Sequence, residues 1–205
     1  MPEQQIPINL VFEDELQRSV LERLLQFSNR NYVIGHSFPG YGYGYIKKQI
    51  SSFNHAAKVM PYLVIVDLDD NICAPKLISE WLGDAIDPNL IFRIAVHDIE
   101  AWIIADKDNF ANFFGLSNKL MKFNVEEIPR AKTCVLHLMQ KSRKPSLRKD
   151  MLPMEGSTAR IGPNYNLILS QFVKSDWKPD TAAKNSDSLR RAIQALKIFS
   201  PTWRK

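Results

Sequence analysis

The residues of this chain best suited to chemistry are carboxylates, and they come directly after apolar runs. Pro61-Tyr-Leu-Val-Ile-Val-Asp-Leu-Asp-Asp-Asn71 ends in Asp67, Asp69 and Asp70. Ile6 to Phe12 runs into Glu13-Asp14-Glu15, and Leu90 to Val96 runs into His97-Asp98-Ile99-Glu100. Carboxylates forced together repel unless a cation lies between them, and hard oxygen donors suit Mg2+ or Mn2+. Asp67 and Asp69 are two apart, so in extended chain they point to the same side. They are the first choice for metal ligands, with Glu13 as a ligand or general acid/base and Glu100 or Asp98 completing a second site. Such a centre can activate water and relieve negative charge during phosphodiester cleavage. A lone Asp-x-Asp reads equally as a solvated turn; three acidic strand ends favour a site.

The other candidates have simpler readings beside their functional ones. His97 can act as a base near neutral pH or as an ordinary structural histidine. Asp106 reads as a surface charge. Arg143, Lys144, Arg148 and Lys149, in Lys141-Ser-Arg-Lys-Pro-Ser-Leu-Arg-Lys149, are expected to contact phosphates from a loop, or else to form a solvated charge run. Pro39-Gly-Tyr-Gly-Tyr-Gly-Tyr45 reads as a flexible loop or as a lid whose tyrosines stack on bases. Trp102 and Trp177 read as core.

The elements that must position these acids follow from periodicity. Ile6–Phe12 and the run from Pro61 are nearly continuous apolar stretches, as in strands covered on both faces. Leu90–Val96 is another, and Tyr32–His36 a weaker one. Leu16, Val20, Leu24 and Phe27 share one helical face. Further helices are expected near 46–58, 75–81, 101–114, 131–140, 165–173 and 188–198. Alternating strands and helices predict an α/β fold with a mostly parallel sheet over residues 1–118. In such sheets ligands bind outside the carboxyl ends of the strands, where the acids lie. Residues 119–205 are expected to form a basic helical appendage packed on that core.

Charge divides the chain in the same way. Residues 1–118 carry 9 Lys/Arg against 15 Asp/Glu, and residues 119–205 carry 18 against 7. A basic region beside an acidic, metal-type motif suits a polyanionic partner such as DNA or RNA. Cys73 and Cys134 show neither disulfide spacing nor a zinc pattern. No stretch approaches the length of an apolar membrane span, so a cytoplasmic location with no membrane partner is expected.

The order strand, Glu13, helix, glycine-containing loop, strand, Asp67-x-Asp69 resembles the Toprim domain of topoisomerases, primases and OLD-family nucleases. Asp14 stands where that family usually has glycine. His97-Asp-Ile-Glu-Ala-Trp-Ile-Ile-Ala-Asp106, Gly162-Pro-Asn-Tyr165 and Trp177-Lys-Pro-Asp-Thr-Ala-Ala-Lys-Asn-Ser-Asp-Ser-Leu-Arg190 resemble small bacterial Toprim-like proteins of uncharacterised function. The resemblance implies a Mg2+- or Mn2+-dependent nuclease that uses Glu13, Asp67 and Asp69. It also admits an AAA-type ATPase partner, a role in phage defence and a homo-oligomer. The alternatives are a receiver-like phosphoacceptor, a haloacid-dehalogenase-type phosphatase and a non-catalytic Toprim-like partner of an ATPase. His97-Asp98 after the fourth strand departs from the receiver pattern, and Asn71 departs from the phosphatase motif.

Overall fold

The computed structural model describes residues 4–40, 42–71 and 73–203; of Tyr43 it describes the backbone alone. Tyr41, one of the tyrosines considered for base stacking, lies outside the described residues, as does the side chain of Tyr43. Four strands form one parallel sheet: β1 (Ile6–Phe12), β2 (Tyr32–Pro39), β3 (Tyr62–Asp67) and β4 (Leu90–Ala95), in the order β2-β1-β3-β4. The fold is the expected α/β sheet flanked by helices, with a helical C-terminal part.

Alternation along each strand explains the two cores. Ile6, Ile8, Leu10 and Phe12 of β1, Leu63 and Ile65 of β3, and Ile91 and Ala95 of β4 face one side. Val11, Tyr62, Val64, Val66, Phe92 and Ile94 face the other. Helix α1 (Glu15–Phe27) covers the first side with Leu16, Val20, Leu21 and Leu24. Helices α2 (Tyr43–Ala56) and α3 (Ala74–Leu82) cover the second with Ile46, Ile50, Phe53, Leu77 and Trp81. After β1 the chain turns to β2, whereas after β3 it turns to β4 on the opposite side. The gap between the carboxyl ends of β1 and β3 is therefore the point where connections diverge and a crevice opens.

The second half of the chain adds to the first core. Its helices are α4 (Ile99–Ile104), α5 (Lys107–Phe114), α6 (Ala131–Gln140), α7 (Pro145–Met151), α8 (Tyr165–Ser175), α9 (Pro179–Ala182) and α10 (Asp187–Ile198). Tyr165, Phe172, Trp177 and Leu189 are buried together with Phe12, Leu16 and Trp102. Both Trp102 and Trp177 are core residues, as expected.

Several local expectations are corrected. Strand β2 extends three residues beyond His36, and α2 begins before Ile46. The helix expected over 101–114 is two helices broken at Asp106, which is fully buried rather than a surface charge. The Asp106 carboxylate accepts from Lys178 N at 2.7 Å and from Asn109 Nδ2 at 2.9 Å, tying the break to the tail. The basic stretch expected as a loop contains α7, with Pro145 at its first turn, where a missing N–H costs nothing.

Candidate metal centre

The first strand end is organised by helix capping. Asp14 Oδ1 accepts from Leu16 N and Gln17 N, both at 3.0 Å, so this acid is the N-cap of α1. Its Oδ2 accepts from Asn166 Nδ2 of α8 at 3.3 Å. Gln17, three residues on, turns back: its Oε1 accepts from Glu13 N at 2.9 Å. The Gln17 Nε2 then donates to Asp67 Oδ1 at 3.2 Å, linking the ends of β1 and β3.

At the second strand end, Asp67 is the last residue of β3. Asp69 lies beyond the strand with φ 49°, in the left-handed region, and is exposed. The expectation that Asp67 and Asp69 share a side through extended backbone is corrected, because the chain turns between them. Asp69 N donates to His97 O at 3.0 Å, which holds this turn against the end of β4. Asp70 faces Arg130 at 3.4 Å in a solvent-exposed pair.

At the third strand end, Asp98 caps α4 through Ala101 N at 3.1 Å, and its other oxygen accepts from Lys132 N of α6 at 3.1 Å. Two residues later Glu100 is only 1% exposed. Its Oε1 accepts from Tyr165 OH at 3.2 Å and faces Lys132 Nζ at 3.4 Å. Its Oε2 is buried and has no hydrogen-bond partner among the described residues.

These placements set the electrostatics. Burial pushes the Asp67 carboxyl well above the usual carboxylate range, and the negative charges of Glu100, Glu13, Asp98 and Asp69 push it further. Some Asp67 surface is open to solvent, but the surrounding protein is dense enough for desolvation to lead. Burial also pushes Glu100 up to about 7, against the opposing effect of Lys132. The same ion pair raises Lys132; for Glu100, loss of water outweighs the attraction. Asp69, though open to solvent, is raised by the water that the surrounding chain displaces and by Asp70, and lowered by Lys132 and Arg130. The carboxyl of Asp98 is raised by burial against the hydrogen bonds it accepts, and burial raises the Tyr165 phenol.

Glu13, Asp69, Asp98 and Glu100 thus all lie within electrostatic reach of Asp67, drawn from three strand ends. Among the described residues, no three of His, Cys, Asp and Glu form a group close enough to hold a metal ion as arranged. Lys132 supplies positive charge to Glu100, Asp14 and Asp67 in this arrangement. The donor set is all oxygen, and the bare Glu100 Oε2 is a buried acceptor, so the residues fit Mg2+ or Mn2+ better than a soft metal.

A groove of about 910 Å3 adjoins the cluster, lined by Asp69, Asp70, Arg130, Lys132, Leu136 and Arg160 among others. The four cations expected from the sequence are placed elsewhere. Lys144 Nζ donates to Phe113 O at 2.7 Å, and Arg148 Nη1 donates to Ser142 O. Arg143 and Lys149 are exposed beside them.

Sequence reasoning missed Gln17, Lys132, Tyr165, Arg130 and Arg160. A capping-box pattern, Asp14-x-x-Gln17, signals that Gln17 turns back. Tyr165 stands in the quoted Gly162-Pro-Asn-Tyr165 segment without a role, and no local pattern marks Lys132, Arg130 or Arg160. Compared with protein-family models, curated proteins and solved structures, the chain shows no match.

Proposed function

We propose that this protein is a divalent-metal-dependent phosphodiesterase that cuts DNA or RNA. The observation supporting this most is the Asp67 carboxyl, crowded by Glu13, Asp69, Asp98 and Glu100 at the point where the sheet connections diverge. The adjoining groove with Arg130 and Arg160 suits a polyanion, and the Toprim-like order of Glu13, Asp67 and Asp69 points the same way. In this reading Asp67, Asp69, Glu13 and Glu100 would supply oxygen ligands to Mg2+ or Mn2+, and their side chains would have to close on the ion, since as arranged no three of the described residues form a metal-holding group. When bound, the ion supplies Lewis acidity toward the phosphoryl oxygen and lowers the pKa of water.

The chain's own residues do the rest. Arg130 and Arg160 bind and orient the phosphate. Glu13 would help hold the ion or take a proton from the attacking water as that water's oxygen bonds to phosphorus; the ester P–O bond then breaks and the leaving oxygen takes its proton from solvent water. Tyr165 and Gln17 keep Glu100 and Asp67 in position.

The test is incubation of the purified protein with plasmid, linear DNA and RNA, in Mg2+, Mn2+ or EDTA, beside Asp67→Ala. Metal-dependent cleavage that falls at least about a hundredfold in Asp67→Ala is expected for loss of a group central to catalysis. Cleavage indifferent to EDTA and to the substitution would overturn the reading.

A further inference from the structure

Lys132 belongs to two environments at once. Its backbone N–H is pinned to Asp98 Oδ2 at 3.1 Å, while its side chain is 47% exposed. The ammonium stands 3.4 Å from Glu100 Oε1, and the same residue lines the groove with Arg130, Thr133 and Arg160. A lysine head on a four-carbon stem can swing widely about a fixed backbone.

Glu100 is held differently. It is buried, and Tyr165 OH donates to its Oε1 at 3.2 Å independently of the lysine contact. Its Oε2 has no hydrogen-bond partner among the described residues, so the carboxylate is only partly satisfied by the lysine. A buried carboxylate oxygen left bare is costly and invites a cation.

We propose that Lys132 is a resident cation that exchanges between two positions. Without a divalent ion it stays beside Glu100. With one bound among the carboxylates, it turns into the groove and contacts a phosphate of the polyanionic substrate. The inference rests on the metal-dependent reading of this site. Its physical basis is charge: a divalent ion satisfies the carboxylates better than one ammonium and repels it. The nearest place for the displaced charge is the groove that Lys132 already lines. Metal binding thereby raises the groove's affinity for phosphate, and by reciprocity phosphate raises metal affinity.

The experiment uses the full chain, wild type and Lys132→Met, with Lys132→Gln as a second variant. Fluorescence anisotropy measures binding of a short single-stranded oligonucleotide with a cleavage-resistant phosphorothioate backbone, in EDTA or in Mn2+. Calorimetry measures Mn2+ binding without the oligonucleotide. In EDTA, wild type and variants should bind the oligonucleotide alike. In Mn2+, wild type should bind about fivefold tighter than the variants, within the usual range of coupling between sites. Its salt dependence should then be steeper by about 0.7 in log–log slope, one extra phosphate contact on a single strand. The variants should bind Mn2+ about fivefold tighter, since the competing ammonium is gone. A Lys132 contribution equal in EDTA and in Mn2+, or unchanged Mn2+ affinity in the variants, would overturn the exchange alone. Absence of Mn2+ binding in every protein would overturn the metal-dependent reading and the exchange together.

Discussion

Glu100 carries a proton where an ordinary glutamate does not. Burial raises its carboxyl to about 7, so between the usual glutamate range and 7 the folded chain binds more protons than the unfolded chain. Stability then falls as pH rises through that window and stays lower above it. The penalty amounts to about 3 kcal/mol at most. Glu100→Gln keeps an acceptor for Tyr165 and removes the charge. Its metal-free stability should match wild type near pH 5 and exceed it at pH 8, as measured by urea unfolding at both pH values. Asp67, raised in the same direction, leaves the variant a residual slope. The acids Glu13 and Asp67 were legible because each directly follows its own apolar run, and Glu100 because it lies four residues past the end of another. Tyr165 was not, because its bond to Glu100 joins residues 65 apart in sequence.

Among the elements, α8 reaches the site through a tight passage. Gly162 N donates to Met151 O at 2.9 Å, and Asn164 N donates to Asp150 O at 3.0 Å, so the segment before α8 is clamped against the end of α7. A Cβ on Gly162 would meet Asp150 O at 2.4 Å and Met151 C at 2.5 Å, both backbone atoms that cannot yield. Gly162→Ala should therefore destabilise the fold by about 3 kcal/mol. Because Tyr165 opens α8, the variant should also bind Mn2+ more weakly, with calorimetry as the check. The four strands and the longer helices were readable from periodicity, but α7 reads as a loop and the break between α4 and α5 was not legible. It depends on Asp106 bonding to Lys178, a partner far along the chain that no local pattern reveals.

For the molecule as a whole, the two halves share one core. Tyr165, Phe172, Trp177 and Leu189 are buried with Phe12, Leu16 and Trp102. A fragment of residues 1–118 leaves the latter set without its cover, and is expected to show no cooperative urea transition by near-UV circular dichroism. Among the described residues no helix is long and apolar enough to cross a membrane. The sequence alone determined that apolar strands covered on both faces alternate with helices, and that several strands end in acids, because side-chain period and turn chemistry are local properties. The tertiary structure alone decided the order β2-β1-β3-β4, which brings Glu13 beside Asp67 where the connections diverge. It also decided that Lys132 and Tyr165, rather than the basic run around Pro145, meet Glu100. Strand order and helix docking depend on how distant faces bury one another, and that energy is not written in any short stretch of chain.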